Sequence, residues 1–373
     1  MTGSSAPRRI ALAVFRLSPA GGLEQHALRL AAILVARGNA VTIITTRAPD
    51  TTPAGVAVEL IAGRGRTNHS RLAAFAADAA RALAGRFDRT VVFHAIPGFD
   101  AIFCADPSRG TPIGARRWLP RYRTYAALER RALAAGDGPV LMLSSAQLGA
   151  FAANHPSARA RLRLLPPTVD RLRAAPSAMT PDAKVAARAR LTLGTGRVWL
   201  WMGLQPHTKG LDRALQALAA TRDARLLVCG LDPASRGGVA AGRQAGRLGV
   251  ADRVRWLGFV SDAALAEAMA VADLLVHPSR ADVTGTVILE AMANGLPVVT
   301  TAVCGYGEHV VAANAGVVLS EPFRAADLDR AVSQTAETLA TWSGNARSYA
   351  GRGELYSGLE RAADLILADA DGR

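Results

Sequence analysis

The sequence predicts an α/β protein of two Rossmann-like, doubly wound domains facing across a cleft, and three observations carry that prediction. Short apolar runs alternate with helically spaced stretches from the first residues onward. The alternation pauses at a proline-bearing, polar stretch near residue 166 and then begins again. Length also permits it, because 373 residues, 50% of them hydrophobic, suffice for two cores of ordinary size.

The elements follow in order. "RIALAVF" (9–15) is a strand run, broken by "SPAGG", and "LEQHALRLAAILVARG" (23–38) has apolar residues at helical spacing with Gly38 just past its end. "AVTIITT" (40–46), "RTVVFHAI" (89–96) and "PVLMLSS" (139–145) are short apolar runs of the kind buried in parallel sheets. The stretch from Pro166 to Arg190 is the crossover between domains. Beyond it, "RVWLWMG" (197–203), "ARLLVCG" (224–230), "RVRWLGFV" (253–260) and "ADLLVHP" (272–278) read as strands, and "LDRALQALAA" (211–220) and "DAALAEAMAVA" (262–272) as helices. A last helix leads to Gly295, and "PVVTT" restarts a strand. The predicted domains are 1–168 and 169–345, with helices 346–373 packing back toward the first.

Composition excludes several classes. The three cysteines, Cys104, Cys229 and Cys304, are scattered and form no CxxC, which argues against a disulfide frame or a zinc site. No apolar run approaches the roughly 20 residues of a spanning helix, and the apolar run near the start is cut by Arg16, too short for a signal sequence. A soluble, cytosolic protein is expected. A formal net charge of +14 points to an anionic partner: nucleic acid, a phosphate-rich ligand or a membrane surface.

In open α/β sheets ligands bind where strands lead into helices at their carboxyl ends. Three such loops stand out. In "SPAGGLE", Gly21 and Gly22 let a diphosphate approach the backbone at a helix start, and a plain tight turn reads equally well. In "MGLQPHTKGLDRA", Lys209 precedes Gly210, placed to meet a phosphate as a point charge. In "HPSRADVTGTVILEAMANG", Gly285 and Thr286 open a helix whose free N–H groups suit an anion. Glu290 is the one charge in an apolar run, and Thr286, Glu290 and Asn294 at i, i+4 spacing also fit a water-facing stripe. Asp282 lies eight residues before Glu290. On a continuous helix the two would stand about 12 Å apart, too far for a retaining glycosidase pair at roughly 5 Å, so binding roles fit better.

These segments together resemble the retaining glycosyltransferases of family 4 with the GT-B fold, whose donor-site motif is E-x7-E. Within that family, "TNHSR", "PGFD", "YRTYAALER", "LLPPTVD", "TTAVCGYGEHV" and "NARSYA" are similar, in the same order, to segments of the group that glucosylates a core heptose of lipopolysaccharide. The resemblance implies transfer of a hexose from a nucleotide sugar, UDP-glucose for the closest group, with retention and without a metal or other cofactor. It implies that Glu290 holds the ribose and that Asp282 contacts the hexose. Position 282 is an aspartate where relatives have a glutamate, one C–C bond or about 1.5 Å shorter. Lys209 would face the diphosphate. Thr208 stands where an arginine is usual, and Arg173 is a candidate to compensate. Gly21, Gly22, Gly285 and Thr286 would donate backbone N–H groups. Asp100 in "PGFD" and His94 are candidates to steer the acceptor hydroxyl, with a structural turn the simpler alternative for both. A nucleotide-sugar epimerase on the same scaffold, or another hexose and acceptor, stays open.

The segment 109–133 interleaves arginines with Trp118, Tyr122 and Tyr125. Basic residues and aromatics suit an anionic membrane surface, and no RNA- or DNA-binding signature accompanies them. Arg116, Arg117, Trp118, Arg121, Tyr122 and Arg123 are the expected membrane contacts. The resemblance places them on the cytoplasmic face of the inner membrane, where the lipid-linked acceptor lies.

Overall fold

The computed structural model describes residues 6–17, 21–48, 51–110, 114–170 and 179–368. They fall into two units, one formed by the residues before Val169 together with those after Tyr356, the other by Val169–Tyr356. The second break therefore follows Tyr356 and not residue 345, which lies inside a helix.

The first unit runs β1 (Arg9–Ala13), α1 (Gly22–Ala36), β2 (Ala40–Thr45), β3 (Val56–Leu60), α2 (Asn68–Leu83), β4 (Arg89–Val92), β5 (Ala101–Cys104), α3 (Pro120–Ala134), β6 (Val140–Met142), α4 (Ser145–Asn154) and β7 (Leu162–Leu164). Its strands form one parallel sheet in the order β3-β2-β1-β4-β5-β6-β7. β5 and β6 are apolar throughout, and β1 is apolar after Arg9, because both faces of the sheet are covered. In β1, Ile10 and Leu12 enter one core and Ala11 and Ala13 the other.

The second unit runs α5 (Pro181–Arg190), β8 (Arg197–Met202), α6 (Leu211–Ala220), β9 (Ala224–Cys229), α7 (Arg236–Arg247), β10 (Val254–Gly258), α8 (Asp262–Val271), β11 (Leu274–His277), α9 (Thr286–Ala293), β12 (Val298–Thr301), α10 (Gly307–Ala313), β13 (Gly316–Leu319), α11 (Ala325–Val332) and α12 (Ala336–Ala350). The sheet is again parallel, in the order β10-β9-β8-β11-β12-β13. In β8 the alternation is explicit: Val198, Leu200 and Met202 face one core, Trp199 and Trp201 the other. Ala346 and Ala350 of α12 are part of this unit's core, which is why the boundary cannot lie at 345.

The last helix, α13 (Gly358–Leu367), belongs to the first unit and packs on α1. Leu359, Ala362, Ala363 and Ile366 share a core with Ala27, Leu30, Ala31 and Leu34. Arg37 pairs with Glu360 and, at 2.8 Å, with Asp364. Among the described residues no helix is long and apolar enough to cross a membrane.

Both sheets have the same switch in strand order. The chain proceeds outward on one side of β1 or β8, then restarts on the other side with β4 or β11. Crevices of this kind, above the carboxyl ends of diverging strands, are where such sheets bind ligands.

Candidate functional site

In the second unit the switch point brings together the loop after β8 (203–210) and the loop after β11 (278–285). Gly210 permits their close approach. Its φ is +72°, and a Cβ there would stand 2.0 Å from the Pro278 carbonyl oxygen. The loops are then tied by arginines. Arg280 donates its backbone N–H to the Thr208 carbonyl (2.8 Å), Nη1 to the His207 carbonyl (2.7 Å), and both Nη groups to Asp212 (2.7 and 2.6 Å). Arg213 donates to the carbonyls of Pro278 and Ser279. Thr208 contributes its carbonyl to this tie, and the Arg280 guanidinium on the facing loop is taken up by Asp212 and the His207 carbonyl. Arg280 was not singled out in the sequence, although it lies two residues from Asp282. Arg173 lies outside the described residues.

This framework puts Lys209 Nζ 2.5 Å from Asp282 Oδ2. The same oxygen is 3.2 Å from His277 Nε2, and Oδ1 accepts from the Gly285 N–H at 2.9 Å. Burial alone would raise the Asp282 pKa, but His277 and Lys209 overcome it and hold the carboxyl well below the usual carboxylate range. The contacts also explain the residue type. A carboxylate capping an N–H three residues ahead while reaching Lys209 and His277 needs the short side chain, since one more methylene would push it past Gly285.

Glu290 is 2% exposed. A water-facing stripe through Thr286, Glu290 and Asn294 is therefore excluded, and the carboxylate is an interior group of α9, which packs on α12. Gly285 starts that helix in the left-handed conformation (φ +76°), with no side chain capping it. Thr286 is its first residue. His277, Asp282 and Cys304 also offer three ligand atoms within 4.8 Å of one another. The ammonium of Lys209 sits on the carboxylate of that group, so the chain supplies its own cation there.

In the first unit the switch between β1 and β4 opens a cavity of about 260 Å³ lined by Glu24, Asn68, His94, Asp106, Arg109 and Tyr125, among others. His94 Nδ1 is 3.1 Å from Asp106 Oδ2. With that nitrogen donating, the other ring nitrogen is left as an acceptor. Burial would raise the Asp106 carboxyl, but His94 and Arg109 keep it lowered. The loop 108–110 is held by Glu129, which no sequence signal marked within its arginine-rich surroundings. Its buried carboxylate accepts from Ser108 Oγ (2.9 Å), Arg109 N (2.7 Å) and Gly110 N (3.1 Å), and lies 2.8 Å from His155 Nε2. Gly21 caps α1 and Gly22 opens it, with the Glu24 carboxylate folded over them. A Cβ on Gly21 would meet Glu24 Oε2 at 1.8 Å. Burial raises the Glu24 pKa.

Asp100 is not part of this site. β4 and β5 are parallel neighbours, so the chain between them must cross from the carboxyl edge of the sheet to the amino edge. His94 lies at the start of that crossing and Asp100 at its end. There its Oδ2 accepts from Thr90 N and Thr90 Oγ1, both at 2.8 Å. Asp100 is a turn-closing residue at the amino edge. Asp100→Ala is expected to leave the rate of whatever reaction the chain performs within about twofold of wild type. It should lower unfolding free energy by about 1–2 kcal/mol, read in a urea titration; a hundredfold rate loss would restore the catalytic assignment.

In the basic segment, a 3-10 turn (Gly114–Trp118) leads into α3. Trp118 is 71% and Leu119 50% exposed, and Arg116, Arg117, Arg121 and Arg123 are exposed beside them. Arg117 stacks on Trp118 and Arg116 on the half-buried Tyr122.

Similarity to known proteins gives the family and the fold. Residues 187–347 match the family model for glycosyl transferases group 1. The chain is 32% identical to the lipopolysaccharide glucosyltransferase WaaG of Escherichia coli (strain K12), over 97% of this chain and 100% of that protein. It is 30% identical to the D-inositol 3-phosphate glycosyltransferase of Geodermatophilus obscurus, over 98% of this chain and 89% of that one. The crystal structure of WaaG, a glycosyltransferase involved in lipopolysaccharide biosynthesis, superposes with a TM-score of 0.87 at 31% identity, covering 96% of this chain and all of that one.

Proposed function

We infer, from a chain that belongs to the group 1 glycosyl transferases and has the two-unit GT-B fold, that it transfers glucose from UDP-glucose to a heptose of the lipopolysaccharide inner core, with retention at the anomeric carbon. The observation that carries this reading is the end-to-end similarity to a lipopolysaccharide glucosyltransferase, joined to the Lys209–Asp282–Glu290 arrangement at the switch point of the second unit. In this reading Glu290 accepts the ribose hydroxyls. Lys209 and the N–H groups of Gly285 and Thr286 take the charge that develops as the bond from the anomeric carbon to the diphosphate breaks, a task cations and oriented amides perform without a metal. Asp282, freed from Lys209 when the lysine turns to phosphate, accepts from the hexose. His94, its ring fixed by Asp106, steers the acceptor hydroxyl in the first unit.

A panel of nucleotide sugars offered with core lipopolysaccharide lacking its hexoses tests the proposal. UDP-glucose should be consumed and one α-linked glucose should appear on heptose by mass and anomeric NMR. Inverted product, another hexose, or conversion of the nucleotide sugar without acceptor would each overturn part of it, the last pointing to an epimerase.

The same reading places the chain at the cytoplasmic face of the inner membrane, held by Arg116, Arg117, Trp118, Arg121, Tyr122 and Arg123. Each basic residue near anionic headgroups contributes about 1 kcal/mol. Replacing Arg116, Arg117 and Arg121 by Gln is therefore expected to reduce partitioning onto anionic vesicles by about two orders of magnitude. Undiminished binding in a sedimentation assay at moderate salt would remove this face as the contact.

A further inference from the structure

A second cavity of the first unit, about 370 Å³, lies beside the one that holds His94 and shares Phe15 and Arg16 with it. Among the described residues its lining is Phe15, Arg16, Thr46, Arg47, Gly63 and Arg71, three arginines and no carboxylate. They arrive from the carboxyl ends of β1 and β2, from the loop after β3 and from the first turn of α2. Thr46 Oγ1 donates to the Phe15 carbonyl at 2.5 Å and Leu17 N to the Arg47 carbonyl at 3.3 Å, which locks the two arginine-bearing loops side by side. Arg71 is steadied by Nε donating to the Gly65 carbonyl at 2.9 Å, and Arg16 rests on the Phe15 ring. Arg64, in the same loop as Gly63, is by contrast neutralised by Asp78. Among the described residues Arg16, Arg47 and Arg71 form no ion pair. Three guanidiniums with no ion-pair partner among the described residues repel one another around one cavity, and an anion with several acceptor oxygens relieves that repulsion. The neighbouring cavity is mixed, with Glu24, Asp106 and Glu129 beside Arg16 and Arg109 among its lining groups, and its carboxylates can accept from sugar hydroxyls.

We propose that Arg16, Arg47 and Arg71 form an anion subsite that reads a phosphate or carboxylate substituent of the acceptor saccharide while its accepting sugar occupies the His94 cavity. The proposal rests on the glycosyltransferase reading above. The subsite makes acceptor choice depend on a charged group away from the reacting hydroxyl, and the two sources of that charge can be separated chemically.

The test uses core oligosaccharide released from its lipid, in three forms: untreated, dephosphorylated with aqueous hydrogen fluoride, and carboxyl-reduced. Binding of each to the full-length protein is measured calorimetrically without donor, for wild type, Arg47→Gln and Arg71→Gln, all checked for native circular dichroism. One of the two treatments should weaken wild-type binding about tenfold or more, and that treatment names the anion. Each variant should bind the untreated form about tenfold more weakly than wild type does, and should bind the stripped form as wild type does. Equal wild-type binding of all three forms, or variants indistinguishable from wild type, overturns the subsite. Transfer assays on the same preparations keep the two readings apart. Glucose transfer that ignores the anion overturns the subsite and leaves the transferase. A binding preference lost in the variants, with no transfer to any form, supports the subsite and removes the acceptor assignment.

Discussion

Glu290→Gln is expected to weaken UDP binding about a hundredfold while the protein stays folded. The carboxylate is buried on α9, one turn in from the left-handed Gly285. A buried carboxylate is kept only where donors meet it, and in the proposed function the donors are two ribose hydroxyls. Hydrogen bonds to an ionised acceptor contribute about 1.5–3 kcal/mol each. The amide retains one acceptor oxygen and the same volume, so a loss near 3 kcal/mol, or about two decades in Kd, is the expected size. Calorimetry with UDP reads it directly. Affinity within threefold of wild type would mean that the ribose lies elsewhere and that Glu290 serves the interior of α9 alone.

Lys209→Met is expected to act on both chemistry and stability, and the two effects should separate. Loss of a group that meets developing charge costs about 10²–10³ in kcat, visible in steady-state transfer. The same change leaves Asp282 buried with His277 as its remaining charge partner, which should lower stability by about 2–3 kcal/mol. Adding Asp282→Asn should restore most of the stability and none of the rate. The pH dependence has a definite sign. Because the folded-state pKa of Asp282 is depressed, its contribution is complete above the unfolded value near 4 and is lost as pH falls below it. Lys209→Met should therefore show a flatter acid limb of stability than wild type. A single variant with unchanged kcat would remove Lys209 from the diphosphate site, and unchanged stability would remove the ion pair as a structural element.

The alternation of strands and helices was legible because buried parallel strands are apolar on both faces and their helices are amphipathic. The strands that escaped were short or half-exposed, and the helices α2 and α7 escaped with them. β3 sits at a sheet edge with mixed burial, and β5, β7 and β13 have only three or four residues each. Lys209 and Asp282 were conspicuous because they lie on two loops of unusual composition, and Glu290 because it is the one charge in the apolar run of α9. Asp100 was misplaced because a sequence shows that a residue is in a loop but not which edge of the sheet the loop has reached. Arg280, Glu129 and the Arg16–Arg47–Arg71 group were hidden for a common reason: each acts on partners distant in the chain, among so many arginines that none is conspicuous. The aspartate at 282 looked like a defect in a motif and is instead the length that Gly285, Lys209 and His277 together require.

The helix α13 makes the first unit discontinuous, and this sets an order of events during synthesis. Residues up to Thr168 leave the ribosome long before Leu359, Ala362, Ala363 and Ile366, which cover α1. The first unit must wait, with that apolar stripe of α1 unsheltered, while all of Val169–Tyr356 is made and can fold as one uninterrupted segment. A nascent chain is therefore most prone to aggregation through this face of α1 until α13 is made, and a stop between Tyr356 and α13 would cripple the first unit while sparing the second. α13 thus couples completion of the first unit to synthesis of the residues that follow the second.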